Sequence, residues 1–168
     1  MTHCAIQTLT EAHLPAVLDI YNYYIQHTTA TFHERPHTME EMRQLVLFDN
    51  PRYQACVFTG PDGLVCGYFI LTQYKKREAY DRTAEATVYL KPDHLGKGLG
   101  TLALSHLEKL AKERGIAVLM GVICAENQAS VNLFAKNGYE NCGHLRQVGI
   151  KFGRILDIVL YQKILTST

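Results

Sequence analysis

Apolar and polar residues alternate along residues 83–90, which predicts a β-strand with two different faces. One face is apolar and carries Ala86, Val88 and Leu90. The other face carries Glu85, Thr87 and Tyr89. Beyond the strand, apolar residues recur at helical spacing from residue 99 to residue 111, and Gly115 is placed to end that helix. The pattern therefore predicts a strand–loop–helix unit with a single carboxylate on its strand.

The same periodicities predict the remaining elements, in the order β-α-α-β-β-β-α-β-α-β-β. The predicted segments are a strand at 4–9, a helix after Thr10, a helix from the capping box Thr38-Met39-Glu40-Glu41 to about residue 48, a hairpin of 53–58 and 64–74, a buried strand at 116–124, a helix from Asn127 to Gly138, and strands at 139–147 and 156–165 joined by a linker at 149–154. A parallel strand pair is expected across the helix at 98–114. This order predicts one domain over residues 1–168, with a mixed sheet covered by helices.

The loop that follows the Glu85 strand is rich in glycine, and this predicts an anion-binding site. Gly96, Gly98 and Gly100 leave backbone N–H groups accessible, and the start of the next helix adds positive potential. The loop is not a Walker loop, because GxxxxGK[ST] does not occur. Gly98-x-Gly100-x-x-Ala103 matches the loose dinucleotide pattern, but residues 91–95 separate it from the strand. The unit favours an enzyme with a phosphorylated cofactor, with a nicotinamide-dependent oxidoreductase as the weaker alternative.

Composition narrows the class of protein further. The chain has 168 residues and 47% hydrophobic content, enough for one domain with a core. A net charge of +1 without a basic run argues against a nucleic-acid partner. No apolar stretch has membrane-spanning length and no signal-peptide pattern is found, so a cytoplasmic location is expected. The five cysteines form no CxxC pair and are expected as reduced thiols, and the histidine spacings predict no metal site.

The element order and the loop at 96–101 resemble the GCN5-related N-acetyltransferase (GNAT) superfamily, whose loop reads Q/R-x-x-G-x-G/A. This chain keeps the glycines but places Leu95 where Gln or Arg is usual. A narrower match runs from Tyr74 to Tyr89, as YK-x-R-x-AYD-x-T-x-E-x-TVY, and resembles the phosphinothricin and methionine sulfoximine N-acetyltransferases. Residues 20–22, 29–32, 127–130 and 148–157 extend the match to nearly the whole chain. The resemblance implies an α+β, three-layer α/β/α fold around a mixed, mostly antiparallel sheet.

The resemblance also implies an acetyl-CoA-dependent enzyme that acetylates the α-amine of a small amino-acid-like substrate. Glu85 matches the general base of that family. The positions that match its substrate-binding residues are Phe32, Lys75, Arg77, Tyr80 and Thr87. The positions that match its acetyl-CoA-binding residues are Val88, Tyr89, Leu90, Gly96, Lys97, Gly98, Leu99, Gly100, Thr101, Asn127 and Lys136. Family analogy further implies a homodimer.

Phe134 departs from the family pattern, because relatives carry His or Tyr at this position. A phenylalanine cannot protonate the leaving CoA thiolate, so water or another group must supply that proton. The departure leaves a second interpretation open, in which the chain is a non-catalytic acyl-CoA-binding module. For an enzyme, direct transfer in a ternary complex is favoured over an acetyl-enzyme, because no cysteine lies in a motif with a base.

Overall fold

The computed structural model describes residues 3–165, and its elements follow the predicted order. The strands are β1 (Ala5–Thr8), β2 (Gln54–Thr59), β3 (Val65–Gln73), β4 (Thr83–Leu90), β5 (Val118–Cys124), β6 (Glu140–Lys151) and β7 (Arg154–Ile164). The helices are α1 (Leu14–His27), α2 (Met39–Val46), α3 (Leu99–Glu113) and α4 (Gln128–Lys136). Short 3-10 turns lie at Glu11–His13, Glu78–Tyr80 and Pro92–His94.

The seven described strands form a single mixed sheet in the order β1-β2-β3-β4-β5-β7-β6. Every neighbouring pair in it is antiparallel except β4 and β5, which confirms the parallel pair predicted across α3. The register of the parallel pair runs from Thr83 opposite Val118 to Glu85 opposite Met120. Because β4 continues to Leu90, the two strands separate beyond Glu85 and leave a gap in the middle of the sheet.

Helices cover both faces of this sheet, as the α/β/α prediction requires. On one face α1 and α2 pack against β2 and β3, with Val17, Ile25 and Tyr68 fully buried. On the other face α3 contributes Leu104 and Leu107 to a core that includes Phe69 of β3. Burial of these apolar side chains on two sides of one sheet is the main stabilising contribution in such a layered fold.

Two helices begin at the side-chain caps that the sequence predicted. At α2, the Thr38 hydroxyl accepts from the Glu41 backbone N–H at 3.2 Å, and the Glu41 carboxylate accepts from the Thr38 N–H at 2.8 Å. At α4, the Asn127 side-chain oxygen accepts from the Ser130 N–H at 3.2 Å. These bonds satisfy N–H groups that have no acceptor within the helix. Within residues 3–165, no helix combines the length and apolarity needed to cross a membrane.

The connection between the last two strands differs from the predicted linker at 149–154. Strand β6 continues to Lys151 and β7 begins at Arg154, so only Phe152 and Gly153 form the turn. Both have positive φ, +53° and +70°, as the twist of a two-residue hairpin requires. The predicted linker was wrong because phenylalanine is a poor signal for a turn residue in the left-handed region.

Candidate active site

The separation of β4 and β5 opens a cleft of about 850 Å³ that is continuous with solvent. Its walls come from the second half of β4, from Val122 and Ile123 of β5, and from α4. Five of the predicted site residues line it: Thr87, Val88, Tyr89, Leu90 and Asn127. The separation of the two strands beyond Glu85 creates this cleft.

The backbone of β4 supplies hydrogen-bonding groups to this cleft. The Lys91 N–H donates to the Cys66 carbonyl of β3 at 2.9 Å. Because donors and acceptors alternate between the two edges of a strand, the N–H and C=O groups of Val88 and Leu90 face away from β3 and toward the gap. The Tyr24 hydroxyl donates to the Leu90 carbonyl there. The Val88 and Leu90 N–H groups can therefore bond an extended ligand that lies along β4.

The glycine-rich loop has the geometry of an anion site. Gly96 and Gly98 have φ of +72° and +81°, a region that glycine adopts without strain. Gly98 is the N-cap of α3, and the N–H groups of the first turn that follows have no acceptor within the helix. A Cβ on Gly100 would lie 2.8 Å from a Leu133 methyl, so this glycine allows α3 to approach α4 closely.

The loop adjoins the cleft without lining it, except through the preceding residue, Leu95. Lys136 also lies outside the cleft, at the exposed end of α4. Its neighbour Asn137 donates to the Thr101 hydroxyl at 3.1 Å, which holds the end of α4 against the start of α3. The structure therefore brings the predicted loop residues and the Lys136 segment to one edge of the cleft.

Glu85 occupies the point where β4 and β5 stop pairing. Burial raises the pKa of its carboxyl to about 7. Within residues 3–165 no side chain or backbone group forms a hydrogen bond or ion pair with this carboxylate, so desolvation is not offset by a partner. A carboxyl group that titrates near neutral pH can accept a proton from a substrate and release it again at physiological pH.

Lys75, Arg77 and Tyr80 form a cluster in the connection between β3 and β4. The Lys75 ammonium lies 5.4 Å and the Arg77 guanidinium 5.3 Å from the centre of the Tyr80 ring. The connection begins after Gln73, the neighbour of Thr72, and Thr72 pairs with Glu85 across β3 and β4. The structure thus brings the two predicted cations to the Glu85 end of β4, outside the cleft itself.

Phe32 packs against β6, which is distant from it in the sequence, and does not lie in the cleft. A Cβ on Gly149 would overlap the Phe32 ring, so the ring packs directly on the backbone of β6. Beside it, the Lys151 ammonium donates to the Thr31 carbonyl at 2.8 Å. The ring is 36% exposed and does not line the cleft. The loop after α1 is therefore attached to β6 at this position.

A second cleft adjoins the first and contains residues that sequence reasoning had not placed in a site. It shares Tyr24, Ala30 and Asn127 with the first cleft. At its edge the Arg154 guanidinium makes two bonds to Glu126, at 2.8 and 2.9 Å. Together with a bond from Thr29, this pairing lowers the pKa of Glu126 to about 2. Because Glu126 and Arg154 are 28 positions apart, no local sequence pattern indicates their pairing.

Phe134 lines the wall of the first cleft opposite β4. The ring is 4% exposed and packs edge-on against Tyr139, with ring centres 4.9 Å apart. A Cβ on Gly121 would lie 2.5 Å from the Phe134 ring, so the absence of a side chain there makes room for it. The ring fills space between α4 and β5 and offers no proton donor to the cleft.

Two parallel strands thus separate around an open cleft, and a glycine-rich loop lies at one edge of it. Residues 17–139 match the model of the Acetyltransferase (GNAT) family. The chain belongs to this family and is a GNAT N-acetyltransferase. This membership replaces the nicotinamide-dependent alternative, as the interruption between strand and glycines had indicated.

Relatives extend the similarity over nearly the whole chain. Phosphinothricin N-acetyltransferase from Alcaligenes faecalis is 33% identical over 165 residues, which cover 98% of this chain and 84% of the relative. L-methionine sulfoximine/L-methionine sulfone acetyltransferase from Pseudomonas aeruginosa is 36% identical over 160 residues, covering 94% and 92%. The structure of a GNAT superfamily phosphinothricin acetyltransferase from Sinorhizobium meliloti in complex with acetyl-CoA superposes with a TM-score of 0.93 at 29% identity, covering 98% and 89%.

Proposed function

We propose that this N-acetyltransferase uses acetyl-CoA to acetylate the α-amine of a small amino-acid-like substrate of the phosphinothricin or methionine sulfoximine type. The observation that carries the proposal is Glu85, a desolvated carboxylate with a pKa of about 7 at the point where β4 leaves β5. The relatives named for these substrates, and the similar structure in complex with acetyl-CoA, support the choice of substrate class and acyl donor.

The residues at the cleft fit the chemical groups of acetyl-CoA. The amides of Gly96–Thr101 and the start of α3 match a pyrophosphate, and the apolar cleft with free β4 amides matches the pantetheine arm. The Leu90 N–H is suited to bond the thioester carbonyl, which polarises it toward attack. Asn127 lines the same cleft, and Lys136 would meet the ligand at the edge of the cleft, where Asn137 joins α4 to the start of α3. When bound, acetyl-CoA supplies the activated acetyl group.

The chain's own residues would then prepare the amine. An α-ammonium must lose a proton before nitrogen can attack, and Glu85 accepts that proton directly or through water. Lys75 and Arg77 hold the acid group of the substrate, and Arg77 can do so with two parallel hydrogen bonds. Attack occurs in a ternary complex, so no side chain is acetylated. Protonation of the departing thiolate comes from water or from a group other than Phe134.

A thiol-release screen with acetyl-CoA tests this function. The panel contains protein amino acids, phosphinothricin, methionine sulfoximine and methionine sulfone. We expect CoA release with at least one compound that carries both an α-amine and an acid or sulfoximine group. Tight CoA binding without release for any amine would instead identify a non-catalytic acyl-CoA-binding module.

Replacing Arg77 with alanine tests whether Arg77 binds the acid group of the substrate. We expect KM to rise by roughly 10- to 100-fold for an acidic substrate, the range of a lost charge-assisted hydrogen bond, and to change little for its amide or ester. Lys76→Ala is the matched control, because Lys76 is an exposed cation in the same segment. Steady-state kinetics with both substrates decide the matter. An equal rise in KM for both would rule out a charge contact at Arg77.

We also propose that the enzyme is a homodimer that uses the β6–β7 hairpin. Strand β6 is at the edge of the sheet, and apolar side chains on the hairpin are more than half exposed: Val148 (55%), Ile150 (65%), Phe152 (53%) and Ile155 (65%). A long apolar edge strand is a ready surface for pairing with a second chain. This surface supports the homodimer that family analogy implies.

A further inference from the structure

Cys4 and Cys66 place their sulfur atoms 3.2 Å apart, although 62 positions separate them in the chain. Cys4 directly precedes β1, which forms the edge of the sheet opposite β6, and Cys66 lies in β3, with β2 between them. The contact depends on a β-bulge: Phe58 pairs with Gly67 and Thr59 with Val65, which leaves Cys66 as the extra residue. A bulge redirects the extra side chain, and here the Cys66 thiol lies 3.4 Å from the Phe58 carbonyl, to which it donates.

We propose that Cys4 and Cys66 are a redox-active thiol pair that forms an intramolecular disulfide on reaction with a low-molecular-weight disulfide such as oxidised glutathione. Cys4 attacks one sulfur of the small disulfide, which forms a mixed disulfide and releases one thiol. Cys66 then attacks the Cys4 sulfur, which forms the internal bond and releases the second thiol. The two protein thiols lose two electrons and two protons, and the small disulfide gains them.

Differences in burial assign the order of these steps. Cys4 is half-buried and reaches solvent, whereas Cys66 is 2% exposed. Burial, together with the neighbouring Cys4, raises the pKa of the Cys66 thiol to about 12, so Cys66 is a poor first nucleophile. The other three cysteines contact no second thiol within residues 3–165. Cys56 and Cys124 are buried, and Cys142, although exposed, lies beside the Leu160 carbonyl.

The disulfide would attach the four-residue edge strand to the centre of the sheet. Shortening the sulfur–sulfur distance from 3.2 Å to bonding distance requires a shift of about 1.2 Å, which side-chain rotation at Cys4 can supply. A cross-link between residues 62 positions apart restricts the unfolded chain. We therefore expect Tm to rise by roughly 5–15 °C. Because Cys66 keeps its bond to the Lys91 N–H beside the cleft, activity should stay within about twofold of the reduced protein.

The experiment treats the full chain with oxidised glutathione and maps peptides by mass spectrometry without reduction. We expect a cross-linked peptide pair containing Cys4 and Cys66, a mass lower by two hydrogens, the higher Tm, and reversal by dithiothreitol. Cys142→Ser should behave as wild type, whereas Cys4→Ser and Cys66→Ser should each lose the cross-link and the Tm rise. A glutathione adduct on Cys4 that never resolves, or the same Tm rise in Cys4→Ser, would overturn the proposal. Neither outcome depends on the acetyltransferase function.

Discussion

Glu85→Gln is expected to lower kcat by about 10²-fold or more, while the affinity for acetyl-CoA stays close to wild type. Glutamine keeps the shape of the side chain and cannot accept the amine proton. In the wild type, kcat should rise with pH through about 7 and level off above it, because the carboxylate form is the base and burial raises its pKa to about 7. Near-normal kcat for the variant between pH 6 and 9 would remove Glu85 from the role of base.

The same substitution should stabilise the protein at alkaline pH. The folded pKa of Glu85, about 7, lies above the ordinary glutamate value, so the folded state binds more protons than the unfolded state between these two values. Stability therefore falls as pH rises through this window, and the full cost of the buried charge is present above pH 7. We expect Glu85→Gln to increase the free energy of unfolding by about 1–3 kcal/mol at pH 8, and to have little effect at pH 4.

Urea unfolding at both pH values measures this difference, and Glu113→Gln provides a control for losing an exposed carboxylate. A variant that loses activity and gains stability at pH 8 has lost its base rather than its fold. If Glu85→Gln is destabilised at pH 8, the loss of activity must be attributed to structural damage instead.

Gly98→Val is expected to weaken CoA binding by roughly 10-fold or more. A left-handed conformation costs an L-residue about 1–2 kcal/mol, and valine cannot relieve this at φ of +81° without moving the loop. Moving the loop turns its N–H groups away from the pyrophosphate. Calorimetric titration with CoA measures the affinity, and circular dichroism confirms that the variant is folded.

Gly63→Val is the matched control for Gly98→Val. Gly63 has φ of +79° and equally open surroundings, but it lies in the turn between β2 and β3. The Gly63→Val variant should lose about as much stability as Gly98→Val and should bind CoA with unchanged affinity. If the two variants weaken CoA binding equally, or if folded Gly98→Val binds CoA as wild type does, the loop does not hold the pyrophosphate.

Most of the secondary structure could be predicted because its signals are local. The alternation along residues 83–90 and the helical spacing from residue 99 onward each involve residues only two to four positions apart. Backbone conformation is determined over the same short distance, so these patterns predict it. The capping box at Thr38 and the cap at Asn127 are likewise local, and both are present. The hairpin turn at Phe152 and Gly153 was missed because its strand pairing, not the preference of phenylalanine, selects the left-handed conformation.

The candidate site likewise has some features that the sequence predicted and others that it did not. The sequence by itself determined the strand that carries Glu85, the glycine-rich loop that follows, and the family to which both belong. Only the tertiary structure decided that β4 and β5 part beyond Glu85, that burial raises the pKa of Glu85 as far as about 7, and that Tyr24 reaches the Leu90 carbonyl. It also decided the contact between Cys4 and Cys66, which lie on opposite sides of β2. Desolvation and contacts between distant residues arise when separate elements pack, and no spacing along the chain encodes them.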